Sequence, residues 1–199
     1  MKSIAVYCAS SNSLDPHFSE SAHRLGAALA ERNITLVYGG GSTGLMGELA
    51  RATHAAGGRV HGVITEYLKD CEVAFVDADE MQVVKTMRER KYIMAEAADG
   101  FMVLPGGLGT YEEFFEILVG RVLAEHDKPI GVVNDHGYFD PMIAMIDHGV
   151  DEQFIRPAAR DLILVGKDPV DVLDQLEVAE RNPIPVNDLI PPLADKKPS

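Results

Sequence analysis

The chain has 199 residues, a length typical of a single domain that buries a core of its own. Its 18 basic and 31 acidic residues give a formal charge of −13, which disfavours binding to nucleic acid and to anionic membrane surfaces. Two cysteines, without metal-ligand spacing or a disulfide framework, predict a reducing, cytoplasmic compartment. No stretch approaches the apolar length of a membrane span, and the first ten residues lack the apolar core of a signal peptide.

Strand and helix signals alternate along the chain, as they do in α/β proteins. The predicted elements, in chain order, are strand 4–9, helix 16–32, strand 34–38, a helix that ends near 56, strand 59–64, an irregular connection 65–79, helix 81–98, strand 101–104, helix 110–126, strand 130–133, helix 139–149, strand 162–165 and helix 168–180. The alternation predicts one α/β domain over residues 1–181, with a doubly wound, mostly parallel, Rossmann-like sheet. Residues 182–199 are proline-rich and are predicted to form a C-terminal tail that is not helical.

The loop after the second predicted strand, residues 39–47, is rich in glycine. Gly39, Gly41 and Gly44 have the spacing of the dinucleotide fingerprint, and Glu66 lies about 20 residues further on, where an acid would bind ribose. In dinucleotide-binding sheets this fingerprint occupies the first strand-to-helix turn, whereas here it follows the second strand. We therefore interpret it as a second glycine loop of the same crevice, with a nicotinamide-dependent oxidoreductase as an alternative.

The most informative segment is Leu-Pro-Gly-Gly-Leu-Gly-Thr-Tyr-Glu-Glu, residues 104–113, between a short apolar strand and an apolar helix. Its three glycines allow a ligand to approach the main chain closely. The N-terminus of the following helix offers unpaired N–H groups and a positive dipole end, so we expect a phosphate group to bind there. Thr110 and Glu113 also have the spacing of a capping box, which would explain these two residues but not the glycines.

The predicted helix 81–98 carries an arginine on its apolar face. Val83, Met87, Met94 and Ala98 share this face, and Arg90 lies on it, where an arginine is costly unless it is paired. Lys91 lies at the edge of the face. Arg90 either pairs with a structural carboxylate or serves a ligand, and the scarcity of basic residues and the proximity of the glycine loop favour the second role.

The predicted helix 110–126 is apolar on most of its faces, and Gly120 lies in its middle. A helix with one face exposed to solvent would carry polar residues along that face. The pattern predicts burial against the sheet and against a second copy of the chain, and therefore a homodimer.

Together these segments resemble a known family. Residues 105–113 match the PGGxGTxxE signature of the "lonely guy" (LOG) family, the cytokinin riboside 5′-monophosphate phosphoribohydrolases. Residues 88–91 (Arg-Glu-Arg-Lys) resemble the ERK segment of this family, residues 37–47 its earlier glycine loop, and residues 127–131 a stretch that follows its motif helix. The resemblance extends from the first strand to about residue 165.

The resemblance implies hydrolysis of N6-modified adenosine monophosphates, and often of AMP, to the free base and ribose 5-phosphate, without a metal or redox cofactor. Carried over by position, the catalytic pair is Arg90 and Glu113. The implied substrate-binding residues are Arg90, Lys91, Gly106, Gly107, Leu108, Gly109, Thr110, Tyr111 and Glu112. The family also has an acid after its third strand, for which Glu72 is the nearest candidate.

The implied reaction passes through an oxocarbenium-like ribosyl cation, which requires a fixed carboxylate near the anomeric carbon. Glu113 is expected to supply it, kept ionised by the dipole of the first helical turn, while Arg90 fixes Glu113 or neutralises the departing base. Ser10 and Ser11 are further candidate contacts or a solvated turn, and Met94 and residues 65–79 are candidates for the base pocket.

Besides the oxidoreductase, one other function remains open. Molybdenum-cofactor carrier proteins resemble the same fold and share a similar glycine loop, so a non-catalytic carrier of a phosphorylated cofactor is the main alternative. Members of the LOG family have also been labelled lysine decarboxylases, but no lysine of this chain lies in a recognisable pyridoxal-phosphate motif.

Overall fold

The structure is a computed structural model that describes residues 1–181, with only the backbone described at Cys71 and Glu72. The predicted tail, residues 182–199, and the side chain of Glu72 therefore lie outside the described residues. The elements are β1 (Ser3–Tyr7), α1 (Pro16–Glu31), β2 (Thr35–Tyr38), α2 (Gly44–Ala55), β3 (Val60–Thr65), α3 (Glu66–Glu72), β4 (Glu80–Val84), α4 (Met87–Ala97), β5 (Phe101–Val103), α5 (Leu108–Val122), β6 (Ile130–Val133), α6 (Asp140–Asp151), α7 (Pro157–Arg160), β7 (Ile163–Gly166) and α8 (Pro169–Val178).

The described strands form one seven-stranded sheet in the order β4-β3-β2-β1-β5-β6-β7, and every neighbouring pair is parallel. The chain builds outward from β1 to β4, and α4 then leads back to β5 on the other side of β1. The strand order therefore reverses between β1 and β5, which is where open α/β sheets bind ligands. The predicted doubly wound, parallel α/β fold is confirmed.

Helices cover both faces of this sheet. Side chains alternate along the strands, so that on β1 Ile4 and Val6 belong to one apolar layer and Ala5 and Tyr7 to the other. The first layer includes residues of α1, α2 and α8, and the second includes residues of α4, α5, α6 and α7. Within residues 1–181, no helix has the length and apolar character needed to cross a membrane.

Two predicted elements are wrong. The segment 81–98, predicted as one helix, consists of the end of the edge strand β4 followed by α4, and Val83 is an exposed strand residue. The helix begins only after Thr86 because Thr86 and Glu89 form a capping box, in which each side chain accepts a 3.1 Å hydrogen bond from the backbone N–H of the other. The connection 65–79, predicted to be irregular, contains α3.

Candidate active site

A cleft of about 280 Å³ opens at the carboxyl ends of β1 and β5, at the reversal of the strand order. It is lined by Cys8, Ala9, Ser10, Met46, Leu68, Met87, Arg90, Gly107, Leu108, Gly109, Thr110, Glu112 and Glu113. The predicted catalytic pair and most of the predicted substrate-binding residues are therefore brought together here. Lys91, Gly106 and Tyr111, which were also predicted, are outside this lining.

The glycine motif forms the N-terminus of α5. The helix begins at Leu108 with Gly107 as its N-cap, two residues earlier than predicted, so Thr110 is its third residue and the predicted Thr110/Glu113 capping box is absent. A Cβ atom on Gly107 or Gly109 would meet nothing within 4 Å, and neither residue has a positive φ. Internal packing therefore does not require these two glycines, whereas close approach of a ligand to the helix N–H groups would.

Arg90 points inward, as its spacing from Met87 and Met94 predicted, and is only 6% exposed. Its Nε donates to the Val63 carbonyl and its Nη2 to the Gly39 carbonyl, each at 3.0 Å. A Cβ on Gly39 would lie 1.9 Å from Nη2, so this glycine leaves the space through which the guanidinium passes. Two carbonyl oxygens thus hold Arg90 in a single orientation at the wall of the cleft.

Glu113 faces the free end of this guanidinium. Its Oε1 lies 3.6 Å from Arg90 Nη1, and its side chain is nearly as buried as that of Arg90. Burial raises the pKa of Glu113 to about 7, although the charge of Arg90 opposes this rise. Glu113 lies in the second helical turn and not the first, so the helix dipole does not keep it ionised as predicted, and its protonation changes near neutral pH.

Lys91 lies beside the cleft, next to Arg90 on α4. Its Nζ is 2.8 Å from Glu112 Oε1 and 2.7 Å from Glu116 Oε2. Burial alone would lower the pKa of Lys91, but the hydrogen bonds to these two carboxylates raise it, so the ammonium stays charged. Glu112 lines the cleft together with Glu113. The Tyr111 ring packs edge-on against Phe139, at a centroid distance of 6.0 Å.

The second glycine loop packs against the serine turn that follows β1. Gly44 has a φ of 56°, its N–H donates to Asn12 Oδ1 at 2.8 Å, and a Cβ on it would lie 2.5 Å from the carbonyl carbon of Ser10. This packing accounts for Gly44 without a bound dinucleotide. Ser10 lines the cleft, as predicted, whereas the Ser11 hydroxyl accepts a hydrogen bond within its own turn.

The sequence indicated part of the apolar lining of the cleft. Met46 belongs to the second glycine loop and Leu68 to the connection 65–79, both predicted to face the ligand, whereas Met87 was assigned only to the apolar face of its helix. Cys8, at the end of β1, is also buried there, and this burial raises the pKa of its thiol, so the thiol is neutral. Met94, predicted as a base-pocket candidate, lies in the core instead.

The chain is similar over most of its length to characterised and probable enzymes of one kind. It is 43% identical to a cytokinin riboside 5′-monophosphate phosphoribohydrolase of Arabidopsis thaliana, over 90% of this chain and 82% of that protein. It is 42% identical to a probable cytokinin riboside 5′-monophosphate phosphoribohydrolase of Oryza sativa subsp. japonica, over 87% of this chain and 71% of that protein. The chain belongs to the LOG family. Residues 46–176 of this LOG chain match the family model described as "Possible lysine decarboxylase".

Solved structures with a similar fold include molybdenum cofactor proteins. The molybdenum cofactor carrier protein of Chlamydomonas reinhardtii has a TM-score of 0.67 and 20% identity, over 89% of this chain and 98% of that one. The molybdenum cofactor binding protein of Rippkaea orientalis has a TM-score of 0.66 at 20% identity, over 89% of this chain and 96% of that one. At this identity the likeness concerns the fold alone.

The site of this LOG chain does not fit the decarboxylase description of the family model. A pyridoxal-phosphate decarboxylase needs a lysine in its site to form the Schiff base with the cofactor. Among residues 1–181, the cleft lining includes no lysine, and Lys91 beside it is paired with two carboxylates that keep it protonated. A protonated amine is not a nucleophile, so no step through pyridoxal phosphate follows from these residues.

Proposed function

We propose that this protein hydrolyses the N-glycosidic bond of cytokinin riboside 5′-monophosphates, and of AMP, to release the free base and ribose 5-phosphate. The observation that carries the proposal is the buried pair of Glu113 and Arg90 beside a helix N-terminus with exposed glycines. A carboxylate and an anion site in the same cleft suit a phosphorylated ribosyl substrate. The names of the curated relatives give the same reaction.

In the proposed complex the 5′-phosphate binds the N–H groups of Gly107, Gly109 and Thr110, which by their position have no acceptor within α5. Binding energy from the phosphate then orients the ribose over Glu113. We assign to the Glu113 carboxylate the stabilisation of the ribosyl cation that forms as the bond between the anomeric carbon and the base breaks. Water then adds to the anomeric carbon and loses a proton, and the departing base gains one, so the products are ribose 5-phosphate and the neutral base.

Arg90 has two proposed effects in this reaction. Its charge lowers the pKa of Glu113 and so increases the fraction of the carboxylate that is ionised at neutral pH. Its two hydrogen bonds to carbonyl oxygens fix the guanidinium, and the 3.6 Å contact then fixes the side chain that it faces. The apolar side chains of Leu68, Met87 and Leu108 at the cleft offer contact area to the base and to an N6 substituent.

The proposal is tested by incubating the protein with AMP and with isopentenyladenosine monophosphate, side by side, and following the free base by chromatography. We expect release from both, with adenosine cleaved at least about 100-fold more slowly because it lacks the phosphate that orients the ribose. If a folded preparation releases no base from either nucleotide, the proposal fails. A carrier of a phosphorylated cofactor, such as molybdenum cofactor, then becomes the better interpretation because its fold is shared.

We also propose that the enzyme is a homodimer through an apolar groove on the face of α5. This groove of about 480 Å³ is lined by Phe115, Leu118, Val119, Val122, Ile146, Gln153, Phe154, Ile155, Arg156 and Ala159. Val119 is half exposed and Phe154 is 90% exposed, which favours burial against a second copy. Gly120, in the middle of this helix, packs against His126 of its own chain.

The dimer is tested with Phe154→Glu, which places a charge in the centre of the apolar groove. We expect the wild type to sediment as a dimer at micromolar concentration and the variant as a monomer, because burying an unpaired carboxylate is costly. A monomeric wild type would contradict the proposal.

We further propose that residues 1–181 are the catalytic domain and that the enzyme acts in the cytoplasm, which the pattern of cysteines supports.

A further inference from the structure

A tyrosine outside the motif contacts the glycine loop. The hydroxyl of Tyr138 donates a hydrogen bond of 2.5 Å to the carbonyl oxygen of Gly106, which lies 32 residues earlier in the chain. Gly106 is buried and directly precedes Gly107, the N-cap of α5. We propose that Tyr138 is a positioning residue that orients the phosphate-binding loop by holding the peptide between Gly106 and Gly107. This inference rests on the proposed function.

The geometry of the peptide unit connects this bond to the ligand. The carbonyl of Gly106 and the N–H of Gly107 belong to one planar trans peptide, and in such a unit they point in opposite directions. When Tyr138 fixes the direction of the carbonyl, it also fixes the direction of the N–H group. Because Gly107 lines the cleft, the orientation of this N–H decides whether it can donate to an anion bound there.

Gly106 also packs closely against the side chain of Thr110. A Cβ atom added to Gly106 would lie 2.1 Å from Oγ1 of the buried Thr110, so the backbone of Gly106 rests directly on the first turn of α5. The contact with Thr110 constrains the Cα atom of Gly106, and the bond from Tyr138 constrains its carbonyl. At Gly107 and Gly109, which follow, an added Cβ atom would meet no described atom within 4 Å, in contrast to Gly106.

Tyr138 is itself firmly placed. It follows a short 3-10 turn after β6, where the Asn134 side chain accepts from the Phe139 N–H at 2.8 Å and donates to Asp140 at 2.7 Å. The Tyr138 ring packs edge-on against Phe139, with centroids 5.0 Å apart, and against Phe18, at 5.9 Å. Because these contacts already fix the ring, the Tyr138 side chain loses little further entropy when its hydroxyl bonds to Gly106. The hydroxyl can therefore restrain the loop.

A second hydroxyl extends the contact. Burial and, to a smaller degree, a hydrogen bond with Tyr138 raise the pKa of Tyr111. The hydroxyl of Tyr111 is therefore close to that of Tyr138, which donates to Gly106. Tyr111, predicted to bind substrate directly, lies outside the cleft lining.

The test is Tyr138→Phe, which removes the hydroxyl and keeps the ring contacts. We expect the Kd for ribose 5-phosphate, measured by calorimetry, to rise about tenfold, the loss typical of one hydrogen bond. The KM for AMP should rise by a similar factor, with kcat within about threefold of wild type and the melting temperature within about 2 °C. Tyr92→Phe, at an exposed tyrosine on α4, should leave all these values unchanged.

A Kd within twofold of wild type would overturn the proposal, as would a wild type that does not bind ribose 5-phosphate. A fall in melting temperature of several degrees, with kcat and KM affected equally, would show a structural role and would also overturn it. Binding of ribose 5-phosphate requires no turnover. A wild type that binds it without cleaving AMP therefore refutes the proposed function, while the effect of Tyr138→Phe on binding still decides the role of Tyr138.

Discussion

Glu113→Gln should lower the rate of base release from AMP by about 1,000-fold while the nucleotide still binds. The amide has the shape of the carboxylate but no charge, so it cannot stabilise the ribosyl cation. Binding persists because the phosphate contacts the N–H groups at the start of α5, which this substitution leaves in place. The rate is measured by chromatography of the free base and the affinity by calorimetry, at a pH above 7, where Glu113 of the wild type is ionised.

Glu116→Gln is the matched control for this variant. Glu116 lies on the same helix, outside the cleft lining, and pairs with Lys91, so its replacement should change kcat by less than about threefold. A Glu113→Gln variant that retains most of the wild-type kcat would exclude the proposed role of Glu113. Equal losses in the two variants would point to a general disturbance of α5.

Glu113→Gln should also stabilise the protein, by an amount that depends on pH. The pKa of Glu113 rises from an ordinary 4.5 to about 7 on folding, so ionisation of the buried group reduces the wild type's stability as the pH rises through this interval. The reduction amounts to about 3 kcal/mol above pH 7 and vanishes below about pH 4.5. Glutamine does not titrate. The free energy of unfolding is measured with denaturant. The variant's advantage over the wild type should be larger at pH 8 than at pH 5.

The sequence predicted the parts of the site that carry their own chemical signature. Gly107 and Gly109 stand where no packing requires them, and this is why their pattern indicated a ligand. Arg90 was predicted to point inward because it lies three residues after Met87 and four before Met94. The inward direction is confirmed, since Arg90 and Met94 are both buried on α4, whereas Met87 at the start of this helix is 40% exposed.

Other features of the site depend on tertiary contacts, which leave no pattern in the local sequence. Val83 matched the helical spacing by coincidence. The spacing of Thr86 and Glu89 in the sequence was that of a capping box, and this box marks the true start of α4. The partners that hold Arg90 are backbone carbonyls, which any residue could supply. The pKa of Glu113 is set by burial beneath the assembled sheet and helices, a tertiary effect that outweighs the local helix dipole invoked from the sequence.

Arg90→Met should reduce base release at pH 7 by at least about 100-fold and also lower stability. Methionine fills much of the volume of the arginine but leaves the carbonyls of Val63 and Gly39 without their donor, at about 1–3 kcal/mol each. The melting temperature should fall by several degrees as a result. Activity is therefore assayed at a temperature where circular dichroism shows the variant to be folded.

The pH dependence of this variant separates the two roles of Arg90. The arginine's charge lowers the pKa of Glu113, so its removal raises that pKa further above 7 and leaves the carboxyl mostly protonated at neutral pH. Wild-type kcat should rise with pH through about 7, and in Arg90→Met the same rise should begin at least about one pH unit higher. Arg90→Lys keeps a positive charge near Glu113 and should hold the rise close to its wild-type position. If Arg90→Met melts lower but retains the wild-type kcat and pH profile, Arg90 holds the fold together and takes no part in the reaction.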